Sequence, residues 1–123
     1  MDADFLDVHE DREALRRYLA NPRPHTAVMV HADGLAGDFP TTAPEFGVRV
    51  PEDLSVIGFD STEFCDQFRP ALTSIAQPLY DMGTRAADLL IKGLQEPTRE
   101  PPELILPCAL DIRGSTGRIV QGA

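Results

Sequence analysis

Two aspartates stand just past short apolar runs: "AVMVHAD" ends on Asp33 and "LSVIGFD" ends on Asp60. An ionised carboxylate offers about four lone-pair sites, so it can accept several hydrogen bonds at once or share a divalent cation. A third polar residue, Gln77, follows "LTSIA" in the same way, and its amide both donates and accepts. Acids and an amide at such places suit a ligand rich in hydroxyls or ring nitrogens. Each also has a plainer role. Asp33 can serve as a turn or helix-cap residue, Gln77 as an ordinary strand-end residue, and Asp60, followed by Ser61 and Thr62, reads on its own as a turn former. An enzyme would use Asp33 and Asp60 to hold Mg²⁺ for phosphoryl chemistry. No nucleophile, base or phosphate-cradling glycine loop accompanies them, so no catalytic residue is assigned. His9, His25 and His31 share no ligand spacing, and neither a metal nor a cofactor is expected.

The elements that position these groups alternate in type. "DREALRRYLA" sets Ala14, Leu15, Tyr18 and Leu19 on one helical face, with Asp7 or Asp11 available as a cap. Ala27 to Val30 is a short apolar strand. Leu54, Val56, Ile57 and Phe59 read as a strand buried on both faces, the habit of parallel sheets, whose ligands bind at strand carboxyl ends. Leu72 to Ala76 is a third strand. Leu79, Met82, Ala86, Leu90 and Leu94 then recur at helical spacing and are expected to face a core, with Asp81 and Arg85 paired outside. "QEPTREPPE" is a link, Leu104 to Leu106 and Ala109 to Ile112 are late strands, and "RGSTGRIVQGA" reads as a loose tail. The fold class is therefore α/β. Between Asp33 and Val48 a parallel crossover calls for a helix, yet Gly34, Gly37, Pro40 and Pro44 argue against a regular one.

Composition narrows the function. The 123 residues suit one domain. Eleven Lys and Arg against twenty Asp and Glu give a formal charge of −9, which opposes phosphate-backbone binding by this chain itself. No membrane-length apolar run or charged-then-apolar leader is visible, so a cytoplasmic location is expected. Cys65 and Cys108 form no C-x-x-C pair and are read as free thiols.

Four stretches, "RPHTAVMVHAD", "FGVRVPEDLSVIGFDSTEF", "RPALTSIAQPLYDMGTRAADLLI" and "LPCALDIRGSTG", resemble in order and spacing the C-terminal part of lactose-repressor/galactose-repressor (LacI/GalR) family transcription regulators. The resemblance runs from about Asp11 to Gly117. It implies a Rossmann-like, mostly parallel sheet flanked by helices, the C-terminal part of a type I periplasmic-binding-protein-like fold. Residues 1–117 would form part of an effector-binding and dimerisation domain, and 118–123 a tail. It further implies a small effector, a sugar or nucleoside-like molecule with sugar favoured, and a homodimer. DNA would be read only by an N-terminal domain upstream of everything matched. Asp33 stands at the family's acid after a strand, although Ala32 replaces the usual Asn beside it. Asp33, Gln77 and Leu79 are the implied effector contacts, and Asp60 is the implied shaper of the cleft rim. Phe64 and Phe68 flank a segment resembling the family's dimer contact; core packing is the other reading. A remnant with no working ligand site is the remaining alternative.

Overall fold

A computed structural model describes residues 12–22, 25–97, 100 and 102–118. The chain divides into two compact units, one built from Met1–Ala76 with Leu110–Ala123 and the other from Gln77–Ala109. The first unit opens with helix α1, Arg12–Ala20, whose Ala14, Leu15 and Leu19 are buried as their spacing predicts. The residues proposed as its cap, Asp7 and Asp11, lie outside the described residues. Strand β1, Ala27–Met29, leads into helix α2, Asp33–Thr42, and β2 follows at Ser55–Phe59. β3 is Thr73–Ala76 and β4 is Ala109–Asp111. The sheet order is β1-β2-β3-β4, with β1 parallel to β2 and β2 parallel to β3. This is the α/β class expected.

The doubtful crossover is a helix after all. α2 carries Gly34 and Gly37 in its body and Pro40 in its last turn, then continues as a 3₁₀ helix over Ala43–Phe46. Tertiary contact outweighs weak local propensity here. Ala36, Phe39 and Ala43 enter one apolar core with Leu15, Leu19, Val30, Val48, Leu54, Val56, Cys65 and Leu72. Tyr18 meets Phe39 edge-on, with ring centroids 6.3 Å apart. Gly37 is required for packing, because a Cβ there would overlap the ring of Phe68. Gly47 stops the run in the left-handed region at φ 69°, its N–H returning to Pro44 and that of Val48 to Ala43.

Three other expectations change. β2 is buried on one face only, with Val56 and Gly58 inside and Ser55, Ile57 and Phe59 half-buried. α2 lies on the Val56–Gly58 face, since a Cβ at Gly58 would meet Asp33 and Ala36 of that helix. Leu104 to Leu106 is not a strand. The "RGSTG" segment is no loose tail: Ser115 is fully buried, its carbonyl accepting from Val56 N–H at 2.8 Å. Its hydroxyl donates to Val56 O at 2.6 Å and accepts from Thr73 N–H at 2.8 Å. Residues 119–123 of the expected tail lie outside the described residues, and Arg118 is exposed.

The second unit is dominated by α3, Leu79–Gln95, as the apolar spacing predicts. Asp81 in its first turn and Lys92 in its last suit the helix dipole. The expected core role of its stripe is not met. No α3 residue is buried, and Leu79, Met82, Leu90 and Leu94 are all exposed. Periodicity specifies a face able to be buried, not the surface that buries it. Leu89, Leu90, Gly93 and Leu94 line an open groove of about 380 Å³ with Pro102.

The two α2 glycines should behave oppositely. Gly34 has open space around its missing Cβ. Gly34→Ala is expected to stabilise by up to about 1 kcal/mol through helix propensity. Gly37→Ala is expected to destabilise by about 1–3 kcal/mol through overpacking against Phe68. Urea unfolding followed by circular dichroism measures both; a Gly37→Ala protein as stable as the parent would remove the Phe68 contact as the cause.

Candidate functional site

The carboxyl ends of β1 and β2 meet at Asp33. The residue occupies the first turn of α2, and its register neighbours explain its surroundings. Gly58 pairs with Ser74 across β2 and β3, so both lie on the sheet face that α2 covers. Gly58 leaves the space Asp33 fills, since a Cβ there would run into Asp33 Oδ1. Ser74 donates its hydroxyl to Asp33 Oδ1 at 2.5 Å, and Thr62 donates its N–H to Asp33 Oδ2 at 2.6 Å. The Cys65 thiol donates to the same carboxylate. Asp33 is only 3% exposed. Burial pushes its carboxyl upward, and the donors from Ser74, Thr62 and Cys65 outweigh that, leaving it below the usual aspartate value. Burial and the adjoining carboxylate raise the Cys65 thiol, which makes it a packing group rather than a nucleophile.

The loop joined to Asp33 is conformationally unusual. Asp60 has φ 100° and Ser61 φ 48°, positive values that side-chain-bearing residues rarely adopt. Three bonds hold it there: Asp60 N–H to Ile75 O at 2.8 Å, Ser61 N–H to Ser74 Oγ at 3.0 Å, and Thr62 N–H to Asp33. Ser74 thus accepts from the loop and donates to Asp33 through one hydroxyl. Ser61 Oγ donates to Asp111 Oδ2 at 2.5 Å and accepts from the Arg113 guanidinium at 3.3 Å. Backbone strain held by a set of buried bonds is a common mark of a functional rim.

The sequence placed Asp33 at the ligand and Asp60 at the rim. In the fold, Asp33 is enclosed and Asp60 is exposed. Gln77 and Leu79 open the second unit, Gln77 half-buried and Leu79 exposed. Phe68 joins the core through Gly37, whereas Phe64 is exposed. Among the described residues, no three His, Cys, Asp or Glu side chains gather as a metal site. Sequence reasoning missed Ser61, Thr62, Ser74, Asp111 and Arg113. The one local signal was a pair of small polar residues, Thr73 and Ser74, set between the apolar Leu72 and Ile75.

Removing the Asp33 carboxylate strands buried donors. Asp33→Ala should destabilise the first unit by about 1–3 kcal/mol for each donor left without an acceptor. The contribution of ionised Asp33 should be complete at neutral pH, because its folded-state value lies below the unfolded one. It should persist down to about pH 4 and fade as pH drops through the folded value. Denaturant titrations of the parent and Asp33→Asn from pH 7 to 2 give the comparison. A stability gap that fails to narrow below about pH 4 would show that the ionised form is not what the site uses.

Comparison with known proteins agrees with this architecture. The periplasmic binding protein-like domain family matches residues 2–116. The HTH-type transcriptional repressor CytR of Escherichia coli (strain K12) is 43% identical over 107 residues, covering 85% of this chain and 30% of that protein. The chain therefore spans about a third of the length of the curated relatives it matches. A transcription regulator from Lactobacillus plantarum superposes with a TM-score of 0.74 at 30% identity, covering 87% of this chain and 41% of the other. A LacI family transcriptional regulator from Enterococcus faecalis V583, solved with bound ribose, gives a TM-score of 0.70 at 33% identity over 85% and 38% of the two chains. With its parallel sheet, its latched strand-end acid and a family match along nearly its whole length, the chain belongs to the periplasmic binding protein-like effector domain of LacI-type transcription regulators.

Proposed function

We propose that this chain is the ligand-sensing and dimerisation part of a cytoplasmic LacI-type regulator whose effector is a small sugar, and that DNA is contacted only by another part of the regulator. The observation that carries the reading is the strand-end rim at Asp60–Thr62, pinned to Asp33 and Ser74 where open α/β sheets receive ligands. The formal charge of −9 supports assigning DNA contact elsewhere. The ribose bound by the Enterococcus faecalis regulator supports a polyol effector. Asp33, Gln77 and Leu79 are the effector contacts we assign, with Asp60 shaping the rim. Three of the about four lone-pair sites of Asp33 serve the protein through Thr62, Ser74 and Cys65, so an effector hydroxyl would use the one remaining. Leu79 is apolar and exposed, the character of a wall against a sugar face. The exposed α3 stripe and Phe64 support self-association, because large apolar side chains gain about 1.5–3 kcal/mol each on burial.

Calorimetric titration with ribose, galactose and adenosine tests the assignment. The expected outcome is weak binding of one sugar, reduced about tenfold or more by Gln77→Ala through loss of a two-way hydrogen-bonding amide. Absence of heat with all three, or a Gln77→Ala protein that binds as the parent does, would count against it. Sedimentation velocity tests the association: the parent should sediment above monomer mass, and Leu90→Glu should return it to monomer.

A further inference from the structure

We propose that Arg113, working with Asp111, is a positioning residue of the effector site, holding the Asp60–Thr62 rim in its ligand-receiving form without meeting the ligand. The inference rests on the reading of that rim as part of the effector site. Arg113 lies in the segment that reads from sequence as a tail, yet its side chain is only 18% exposed. Its guanidinium reaches three separate pieces of chain. Nε donates to Asp66 Oδ1 at 2.8 Å, Nη1 donates to Leu72 O at 2.9 Å, and both Nη atoms lie 3.3 Å from Ser61 Oγ. Nη2 stands 4.0 Å from Asp111 Oδ2, the atom that accepts the hydrogen bond from the Ser61 hydroxyl. The Arg113 N–H is itself fixed by Thr73 Oγ1 at 2.9 Å.

This arrangement matches what the rim needs. Ser61 sits at φ 48° without the freedom of glycine, so its conformation must be held by its surroundings. Ser74 and Asp33 hold the loop from the α2 side through backbone N–H groups. Arg113 and Asp111 hold it from the other direction, through the Ser61 side chain. A guanidinium suits this place because its planar fork serves several acceptors at fixed angles, which an ammonium cannot do. Its donors are directed at protein oxygens, which makes it a brace rather than a ligand contact. Asp111 is also the second residue of the stretch by which the chain returns to the first unit at Leu110. The brace therefore ties the rim to the point where the last strand arrives.

Amide hydrogen exchange read by NMR separates this role from a general structural one and needs no ligand. In Arg113→Lys, and in Asp111→Asn should the first variant not fold, the Ser61 and Thr62 amides should exchange about tenfold faster or more through local opening. The Val56 amide, held by Ser115, should keep its parent rate, and Arg69→Lys should leave all three unchanged. Unchanged rim exchange would overturn the proposal. So would equal acceleration at Val56, which would mean that the whole unit had loosened. A ribose titration adds the functional arm: where the parent binds, Arg113→Lys should weaken affinity about tenfold, and equal affinity would overturn the positioning role. A parent that binds no sugar overturns the effector reading instead, and the exchange rates still decide the brace.

Discussion

A single buried carboxylate organises the first unit. Asp33 stands where β1 gives way to α2, and it accepts from Thr62 N–H, from the Ser74 hydroxyl and from the Cys65 thiol. A charge so enclosed is tolerable only when its lone pairs are met by donors, so the surrounding chain is constrained to supply them. Gly58 leaves room for it, Ser74 supplies a hydroxyl from the next strand, and the Asp60–Thr62 loop adopts positive φ values to bring a backbone N–H within reach. The rim is thus shaped by the electrostatic needs of a group beneath it.

That requirement also clarifies why α2 forms where local propensity is poor. Its first residue is fixed by the carboxylate, its middle is pressed against Phe68 through Gly37, and its end is stopped by left-handed Gly47. Between these points Ala36, Phe39 and Ala43 enter the same core as Val56 and Leu72. Burial of that face offsets the cost of two glycines and one proline, each modest compared with several buried apolar side chains.

The two units differ in how they use apolar surface. The first closes its core around α1, α2 and one sheet face. The second presents α3 with an amphipathic pattern and no buried residue. The spacing of that stripe specifies a face able to be buried, and among the described residues of this unit nothing buries it.

Sequence by itself determined a good deal. The three principal strands, α3 and the strand-end positions of Asp33, Asp60 and Gln77 follow from short-range apolar periodicity and from the rule that parallel sheets carry function at their carboxyl edge. The linked motifs also pointed to the family. Tertiary structure alone decided the rest. It made α2 helical through Pro40, enclosed Asp33 while exposing Asp60, turned "RGSTG" from tail into a brace and a stitch between strands, and left the α3 stripe uncovered. The physical reason is separation along the chain. The bonds from Thr62 and Ser74 to Asp33, from Ser61 to Asp111 and from Thr73 to Ser115 span 29, 41, 50 and 42 residues. A local pattern can state that a residue is polar or that a face is apolar, but the partner that satisfies it is chosen only when distant segments are brought together by the core.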